Sequence, residues 1–394
     1  MSSVVIPTID KAAIIAEIGT ASKSMKAIIA DIIDALPEIE RDESTELEDS
    51  DYVDNLLENA LYPISKVDGD LRIYHDGHWQ SLGAEGPLRN FIKLMLKKSN
   101  GTRPKDSSPL ITKVLNELME EYLAPEKVDG QVAINMQSNV LSITDGQFSS
   151  IEHDPSYGFL YKLQFDHQPD IDTSYIYNFL LEAVEEREAL NVIFEFLGSA
   201  LIPNEVINME KIMILTGGGS NGKSVALSIF KSALGIENVS SLELQQFSND
   251  NKLQVTIGKL LNIGTEIDPK RVDPSLVKRL ASAEEVTVDK KYGASFTITT
   301  FPKLLFATNN LPSQSNDVSK GYFRRFLIVP FEREFDHENK IENFMPDLLE
   351  HRPAILQLML EGAMRLVANR RFTHSDKITN AGKQFENAVN SIQN

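Results

Sequence analysis

The residues with the clearest potential for chemistry lie in the run GGGSNGKS, which begins at Gly217. Its first and sixth residues and its final Lys-Ser pair fit the spacing G-x-x-x-x-G-K-[ST], which binds nucleotide phosphates between a strand and a helix. Glycines let backbone N–H groups surround phosphate oxygens, while the lysine reaches the β- and γ-phosphates and the hydroxyl binds Mg²⁺. ATP and Mg²⁺ are therefore the predicted ligands. The predicted nucleotide contacts are Gly217, Gly218, Gly219, Ser220, Asn221, Gly222, Lys223 and Ser224.

The segments on either side of this run support a phosphate site over the alternative, a glycine-rich turn with an accidental lysine. Four apolar residues at 212–215 predict a short buried strand directly before it. An amphipathic segment at 225–234, closed by Gly235, predicts a helix directly after it. Strand, loop and helix therefore occur in the order that a nucleotide triphosphate site requires.

Two polar residues that follow later apolar runs supply groups that an ATPase needs. Glu266 follows a predicted strand at 260–263, where a carboxylate can hold Mg²⁺ and the attacking water. Taken alone, it also fits an ordinary surface loop. Asn309 follows a predicted strand at 303–307, where an amide can contact the γ-phosphate or orient water, and taken alone it also fits a turn. Ser224 and Glu266 are the predicted Mg²⁺ ligands.

Basic residues occur at two further places. Arg325 can act as an arginine finger, with Arg324 beside it as an ordinary surface arginine. The predicted catalytic residues are therefore Lys223, Glu266, Asn309 and Arg325. The segment 286–300 alternates like a hairpin, with Lys290, Lys291 and Tyr292 at its tip. These three residues are predicted to meet nucleic-acid phosphates, although a solvated turn would have the same composition.

Composition limits the class of protein. The chain has 394 residues, a net charge of −18 and no cysteine, which excludes disulfides, a thiolate metal site and a zinc-binding primase element. So acidic a chain argues against a protein that coats DNA electrostatically. No apolar run is long enough to span a membrane, and the N-terminus lacks a secretory signal. A cytoplasmic location is expected, in a bacterium or a virus-infected host.

Elsewhere the pattern predicts supporting structure. The acid-rich stretch 38–51 is expected to be a solvated linker or acidic tail, disordered rather than functional. The segment 71–82 alternates around Asp76-Gly77 and predicts a hairpin. Asp68 and Asp70, a D-x-D that also occurs as a polymerase metal site, fit a turn before that hairpin better. After the glycine-rich run, strands and helices alternate as in a parallel α/β core.

The runs GKLLNIGTEID, LVKRLASAEEVTVDKKYGASFTI, FPKLLFATNNLP and FRRFLIVPF together resemble superfamily 3 replicative helicases, and within them the phage, plasmid and poxvirus primase–helicases. The similarity covers roughly residues 130–375. It implies that Lys223 and Ser224 form the Walker A pair, with Glu266 as the Walker B acid and Asn309 as the sensor. It further implies that Arg325, six residues before a phenylalanine, is the finger, and that Lys291 and Tyr292 contact single-stranded DNA.

The resemblance implies an AAA+-like P-loop NTPase core with a parallel sheet, preceded by a smaller α+β and helical N-terminal region. It also implies a homo-hexameric ring that translocates on single-stranded or forked DNA by hydrolysing ATP. The expected divisions are an acidic helical segment with linker (1–62), an α+β accessory domain (63–170), a helical collar (171–205), the ATPase motor (206–345) and C-terminal helices (346–394).

Three departures from the family pattern matter. Many relatives have two adjacent acids at Walker B, whereas Thr265 precedes Glu266 here. Neither the primase–polymerase domain nor the winged-helix extension of some relatives is expected within these 394 residues, so a separate primase or polymerase is an expected partner.

The predicted function is an ATP-dependent DNA helicase of phage or mobile-element replication. The alternative is an initiator or assembly protein whose ATPase controls only oligomerisation, and a small-molecule kinase is a distant third.

Overall fold

The computed structural model describes residues 23–40, 47–67, 70–83, 85–100, 107–121, 132–144, 146–204, 206–219, 221–267, 273–288, 296–298, 301–309, 311, 319–334 and 350–393. The chain divides into two compact units. The first comprises Met1–Lys127 with Asp154–Gly158, and the second comprises Val128–His153 with Phe159–Asn394. The domain limits expected from the sequence stay a prediction.

The first unit packs helices against a small antiparallel sheet of order β1-β2-β3. Its elements are α1 (Lys23–Ala35), α2 (Asp49–Asn59), β1 (Ile64–Val67), β2 (Asp70–His75), β3 (His78–Ser81), α3 (Glu85–Ser99) and α4 (Ser107–Glu121). The hairpin predicted at 71–82 is confirmed, because His75 pairs with His78 across a two-residue turn. Both turn residues, Asp76 and Gly77, have positive φ, as a type I′ turn requires.

The structure differs from the sequence prediction at the acidic stretch. Residues 49–51 are the first turn of α2 and not linker, while 41–46 lie outside the described residues. The backbone N–H of Glu48 donates to Asp51 Oδ2 at 2.8 Å, and acids in a first turn interact favourably with the helix dipole. Burial of Tyr52 and Leu56 then fixes the helix in a core that also contains residues from α1 and β2. That core contains residues from both sides of position 62.

Of the D-x-D pair, the structure describes only the second aspartate. Asp70 begins β2, and its Oδ2 accepts a hydrogen bond from Ser81 Oγ at 2.5 Å and lies 3.7 Å from Arg72 Nη2. These contacts join the two strands of the hairpin, so Asp70 is a structural residue of β2 and not a residue of the turn before it.

The second unit contains a parallel sheet, an antiparallel meander and most of the longer helices. Its strands are β4 (Val132–Asn135), β5 (Val140–Thr144), β6 (Gln147–Ile151), β7 (Ile212–Thr216), β8 (Val239–Ser240), β9 (Leu261–Gly264), β10 (Val286–Val288), β11 (Phe296–Ile298), β12 (Lys303–Thr308) and β13 (Phe326–Pro330). Its helices are α5 (Ser174–Val184), α6 (Arg187–Ser199), α7 (Lys223–Leu234), α8 (Asp250–Leu253), α9 (Pro274–Ala281), α10 (Lys320–Phe323), α11 (Arg352–Asn369) and α12 (Asp376–Gln393).

The parallel sheet has the order β13-β7-β12-β9-β8, and every neighbouring pair runs parallel. Residues 212–215 of β7 are fully buried, as expected for a strand covered on both faces. Met213 and Leu215 pack in one core cluster, whereas Ile212 and Ile214 pack in another, because successive side chains point to opposite faces. The predicted α/β class with a parallel sheet is confirmed. Among the described residues, no helix is both long and apolar enough to cross a membrane.

Candidate functional site

The register of the parallel strands places their carboxyl ends at one edge of the sheet. Thr216, the last residue of β7, pairs with Thr308 at the end of β12 and with Pro330 at the end of β13. Gly264, the last residue of β9, pairs with Phe306, two residues before the end of β12. The chain segments that follow β7, β9 and β12 therefore all begin at this edge, where open parallel sheets bind their ligands.

Three predicted site regions share this edge. The glycine loop, defined as residues 217–222, follows β7. Glu266 follows β9 after one intervening residue, and Asn309 directly follows β12, with both residues exposed. Ser224, the second residue of α7, is exposed as well, whereas Ser220 lies outside the described residues. The strand order thus brings the segments that contain Lys223, Glu266 and Asn309, which lie far apart in sequence, to one edge of the sheet.

The glycine loop is held against the end of β13. Asn221 is buried, and its Nδ2 donates to the carbonyl oxygen of Phe331 at 2.9 Å. Gly217 has a φ of +153°, and a Cβ there would lie 2.2 Å from Asn221 Nδ2 and 2.2 Å from Phe331 O. Gly222, with a φ of +83°, turns the chain into α7. Only glycine fits position 217, because both the backbone angle and the close packing exclude a side chain.

The ammonium group of Lys223, the residue directly after this loop, contacts oxygens of the loop. Its Nζ donates to the carbonyl oxygens of Gly217 and Gly218, at 2.8 Å each, and to Asn221 Oδ1 at 3.0 Å. Burial lowers the pKa of Lys223, which is 8% exposed. All three acceptors are neutral oxygens, so no carboxylate among them balances the lysine charge. Because Lys223 is also the first residue of α7, its charge adds to the positive end of the helix dipole, and the loop fits an anionic ligand.

Glu243 is a residue at this edge that the sequence did not single out. Its Oε2 accepts a hydrogen bond from the backbone N–H of Glu266 at 2.7 Å. Its Oε1 lies 3.3 Å from both the backbone nitrogen and the hydroxyl of Thr265. The two-residue strand β8, which precedes Glu243, is too short to show a period in sequence. Only Gln246, whose Oε1 accepts the N–H of Glu243 at 3.0 Å, gives a local signal, as a capping pair.

The two arginines lie at the other end of the sheet. The carbonyl oxygen of Arg325 accepts the N–H of Ile212, the first residue of β7, at 2.7 Å. The five residues of β7 separate that position from Gly217, a span of roughly 16 Å at about 3.3 Å per residue. The structure therefore does not bring Arg325 to the edge of the sheet at which Lys223, Glu266 and Asn309 of the same chain lie.

The neighbours of the arginines differ. Arg325 has a side chain only 10% exposed, and it donates from Nη1 to Glu210 and from Nη2 to Ser282 Oγ, the latter at 3.1 Å. Arg324 keeps 65% of its side chain exposed and lies 3.8 Å from the same carboxylate. Lys211 is close by, with Nζ donating to the carbonyl oxygen of Arg324. Burial, assisted by the charges of Arg325 and Arg324, lowers the pKa of Lys211.

The hairpin predicted at 286–300 is confirmed in its strands, because Val286 pairs with Ile298 in an antiparallel ladder. Its tip, with Lys290, Lys291 and Tyr292, lies outside the described residues, and the DNA contacts stay a prediction. Within the described part of the chain, no group of three or more His, Asp or Glu side chains is arranged to hold a metal ion. Ser224 and Glu266 as ligands of Mg²⁺ stay a prediction.

Two comparisons with known proteins bear on this arrangement. Residues 215–325 match the model of a family of unknown function, DUF5906. An apo structure of the C-terminal region of NrS-1, in its A form, has 13% sequence identity and a TM-score of 0.55, covering 86% of this chain and 75% of that one. A second apo structure, of NrS-1 residues 305–718, has 12% identity and a TM-score of 0.51, with 84% and 76% covered. At this identity the likeness is one of fold, which this chain shares with the C-terminal region of NrS-1.

Proposed function

We propose that this protein is an ATP-dependent DNA helicase of phage or mobile-element replication. The observation that carries the proposal is the buried Lys223, held by three neutral oxygens at the positive end of α7. This arrangement suits the phosphates of a nucleotide triphosphate. We infer the helicase activity and the DNA substrate from the sequence resemblance to superfamily 3 helicases. The parallel α/β fold is compatible with an AAA+-like core.

The proposed roles at the glycine loop follow from the contacts of its residues. Lys223 would exchange the carbonyl oxygens of Gly217 and Gly218 for β- and γ-phosphate oxygens, which carry charge and bind an ammonium more strongly. The loop N–H groups would hold the same phosphates, and the exposed Ser224 hydroxyl would face the bound metal. Ser224 and Glu266 would hold Mg²⁺, which would supply positive charge to neutralise the charge that develops on the phosphates.

The remaining groups at this edge would handle the water. Glu266 would orient and polarise the attacking water with its carboxylate, and Asn309 would hold the γ-phosphate or the water by its amide. Both residues are exposed and follow strands that end at the edge from which the loop arises. Water is therefore aligned by groups that neighbouring strands fix in place.

The arginine would come from a second copy of the chain. Because Arg325 lies about the length of β7 from the glycine loop, the finger role that the resemblance implies requires a neighbouring subunit. A ring of such contacts would place each arginine finger at the nucleotide of the next subunit. The resemblance to superfamily 3 helicases implies that this ring is a homo-hexamer. The hairpin tip, with Lys290, Lys291 and Tyr292, would then move along single-stranded or forked DNA, and a primase or polymerase would act as a separate partner.

The experiment that tests the proposal measures ATP hydrolysis and strand separation in the same preparation. Lys223→Ala should abolish hydrolysis, whereas Lys231→Ala, which removes the same charge from the last turn of α7, should retain it. Glu266→Gln should bind ATP and hydrolyse it slowly, because an amide cannot polarise water as a carboxylate does. Normal turnover in Lys223→Ala would refute the nucleotide site. Hydrolysis by the parent protein without opening of a forked duplex would instead support the initiator or assembly alternative.

A further inference from the structure

We propose that Glu243 is a positioning residue for Glu266, an inference that rests on the proposed ATPase function. The Glu243 carboxylate receives the backbone N–H of Glu266 at 2.7 Å and both the N–H and the hydroxyl of Thr265 at 3.3 Å. Every group that it meets in this turn is a donor. A carboxylate is the side chain that can accept all of them, since its two oxygens offer about four lone pairs.

A buried polar network fixes the chain segment that carries Glu243. Asn262 of β9 is fully buried and accepts, at its Oδ1, the N–H of Leu242 at 2.8 Å and the hydroxyl of Ser240 at 2.9 Å. Its Nδ2 donates to the carbonyl oxygen of Leu242 at 2.8 Å. The residue directly before Glu243 is therefore locked to the strand that leads into Glu266. Both sides of the contact between Glu243 and the 265–266 turn are therefore anchored to β9.

This arrangement offers an account of Thr265. In the resembling helicases an acid often precedes the Walker B glutamate, and here that position is a threonine. The negative charge reaches the turn from Glu243 instead, three residues after the neighbouring edge strand β8. Groups that orient a catalytic or metal-binding carboxylate from behind typically contribute about 10- to 100-fold in metal affinity or activity. We assign this contribution to Glu243, acting through the backbone of the turn and not on the nucleotide itself.

The first test separates turnover from nucleotide binding. Glu243→Ala should lower kcat about 10- to 100-fold and leave the Kd of a non-hydrolysable ATP analogue unchanged, because Lys223 lies at the start of α7 and does not contact Glu243 through any hydrogen bond of its ammonium group. Glu237→Ala, which removes an exposed carboxylate just before β8, is the charge-matched control and should keep the parent kcat. Should Glu243→Ala lose its fold, Glu243→Gln keeps the size and one acceptor oxygen and should show a smaller fall in kcat. Parent-like kcat in folded Glu243→Ala would overturn the assignment.

The second test asks whether Glu243 acts through Glu266. If it does, adding Glu243→Ala to Glu266→Gln should not slow hydrolysis further, because the positioned carboxylate is already gone. Multiplicative losses in the double variant would overturn the inference while leaving the proposed function standing. Parent-like turnover in Glu266→Gln alone would defeat the proposed function, and the inference with it. A thermal melt of each variant separates loss of turnover from loss of fold.

Discussion

Arg325 and Glu210 form an ion pair at the end of the sheet opposite the glycine loop, with the guanidinium of Arg325 donating from Nη1 to the Glu210 carboxylate. Glu210 also lies within 3.8 Å of Arg324 and accepts the hydroxyl of Ser282 at 3.3 Å. Glu210 thus holds the buried arginine while its neighbour points to solvent. An arginine that acts on another subunit's nucleotide must leave such a contact or must be the exposed one.

The two arginines can be separated by paired substitutions. Arg325→Ala should lose turnover about 10³-fold, the effect of removing a trans arginine in related phosphoryl-transfer enzymes, while still binding nucleotide. Arg324→Ala is the charge-matched control and should retain most turnover. ATPase assays and thermal melts of both variants decide the outcome. If Arg324→Ala loses turnover and Arg325→Ala mainly loses stability, the finger is Arg324 and Arg325 is its structural support.

Mixing experiments test whether the arginine acts across an interface. Subunits with Arg325→Ala, mixed with Lys223→Ala subunits, should recover part of the activity that each lacks alone. A mixed interface can pair an intact arginine from one subunit with an intact glycine loop from the other. Absence of rescue at every ratio, in assemblies shown to exchange subunits, would argue against a trans arginine.

The ion pair between Arg325 and Glu210 predicts that the stability of the fold depends on pH in the acidic range. Burial would raise the pKa of Glu210, but its hydrogen bond with Arg325 and the Arg325 charge outweigh this and hold the pKa below its ordinary 4.5. A depressed carboxyl pKa stabilises the fold above the unfolded value and loses this contribution as pH falls through the folded value. The melting temperature should therefore fall as the pH is lowered below about 4.5. Glu210→Gln should flatten this part of the profile, and Glu334→Gln, an exposed control, should not.

Gly217 and Gly219 give a matched pair within the glycine loop. Gly217→Ala should abolish nucleotide binding, because the added Cβ would overlap Asn221 Nδ2 and Phe331 O at 2.2 Å each. Gly219 has no atom within 4 Å of an added Cβ, so Gly219→Ala should bind with a much smaller loss. Titration with a fluorescent ATP analogue measures both. Equal binding by the two variants would contradict the packed loop described for Asn221.

The hairpin tip separates a motor from an ATP-gated assembly protein. Replacing Lys291 and Tyr292 by alanine should spare basal ATPase activity while removing DNA stimulation and unwinding together. Because the chain is acidic overall, binding should depend on few phosphates per subunit, with a shallow salt dependence and a preference for single strands. Salt-titrated binding and a forked-duplex assay test this. A double variant that unwinds as well as the parent would make the tip only a solvated turn.

Leu56 and Leu57 test whether the N-terminal segment belongs to a folded core. Leu56 is fully buried in the core of the first unit, whereas its neighbour Leu57 is 36% exposed. Leu56→Ala should lower the free energy of unfolding of that unit by about 2–5 kcal/mol, because it leaves a cavity. Leu57→Ala should cost much less. Urea denaturation followed by circular dichroism compares them, and equal effects would place α2 outside the core.

The sequence alone determined the features that depend on residues near one another. The glycine loop between strand and helix and the Asp76-Gly77 hairpin are both predicted by residues that lie close together in sequence. The cap of the helix that begins at Pro274 is also local, because Asp273 accepts the N–H of Ser275, two residues away, at 2.9 Å. Burial periodicity, turn chemistry and capping each act over a few residues, so they can be read without knowing the fold.

Tertiary structure decided which of these residues meet. Glu243 reaches Glu266 across 23 residues and Arg325 reaches Glu210 across 115, and neither pairing leaves a local pattern. The acidic stretch before Tyr52 shows the same limit of local patterns. Its charged composition predicted a linker, but burial against residues distant in sequence makes part of it a helix. Strand order sets these contacts, because parallel neighbours bring distant segments to one edge of the sheet and place others at the opposite end.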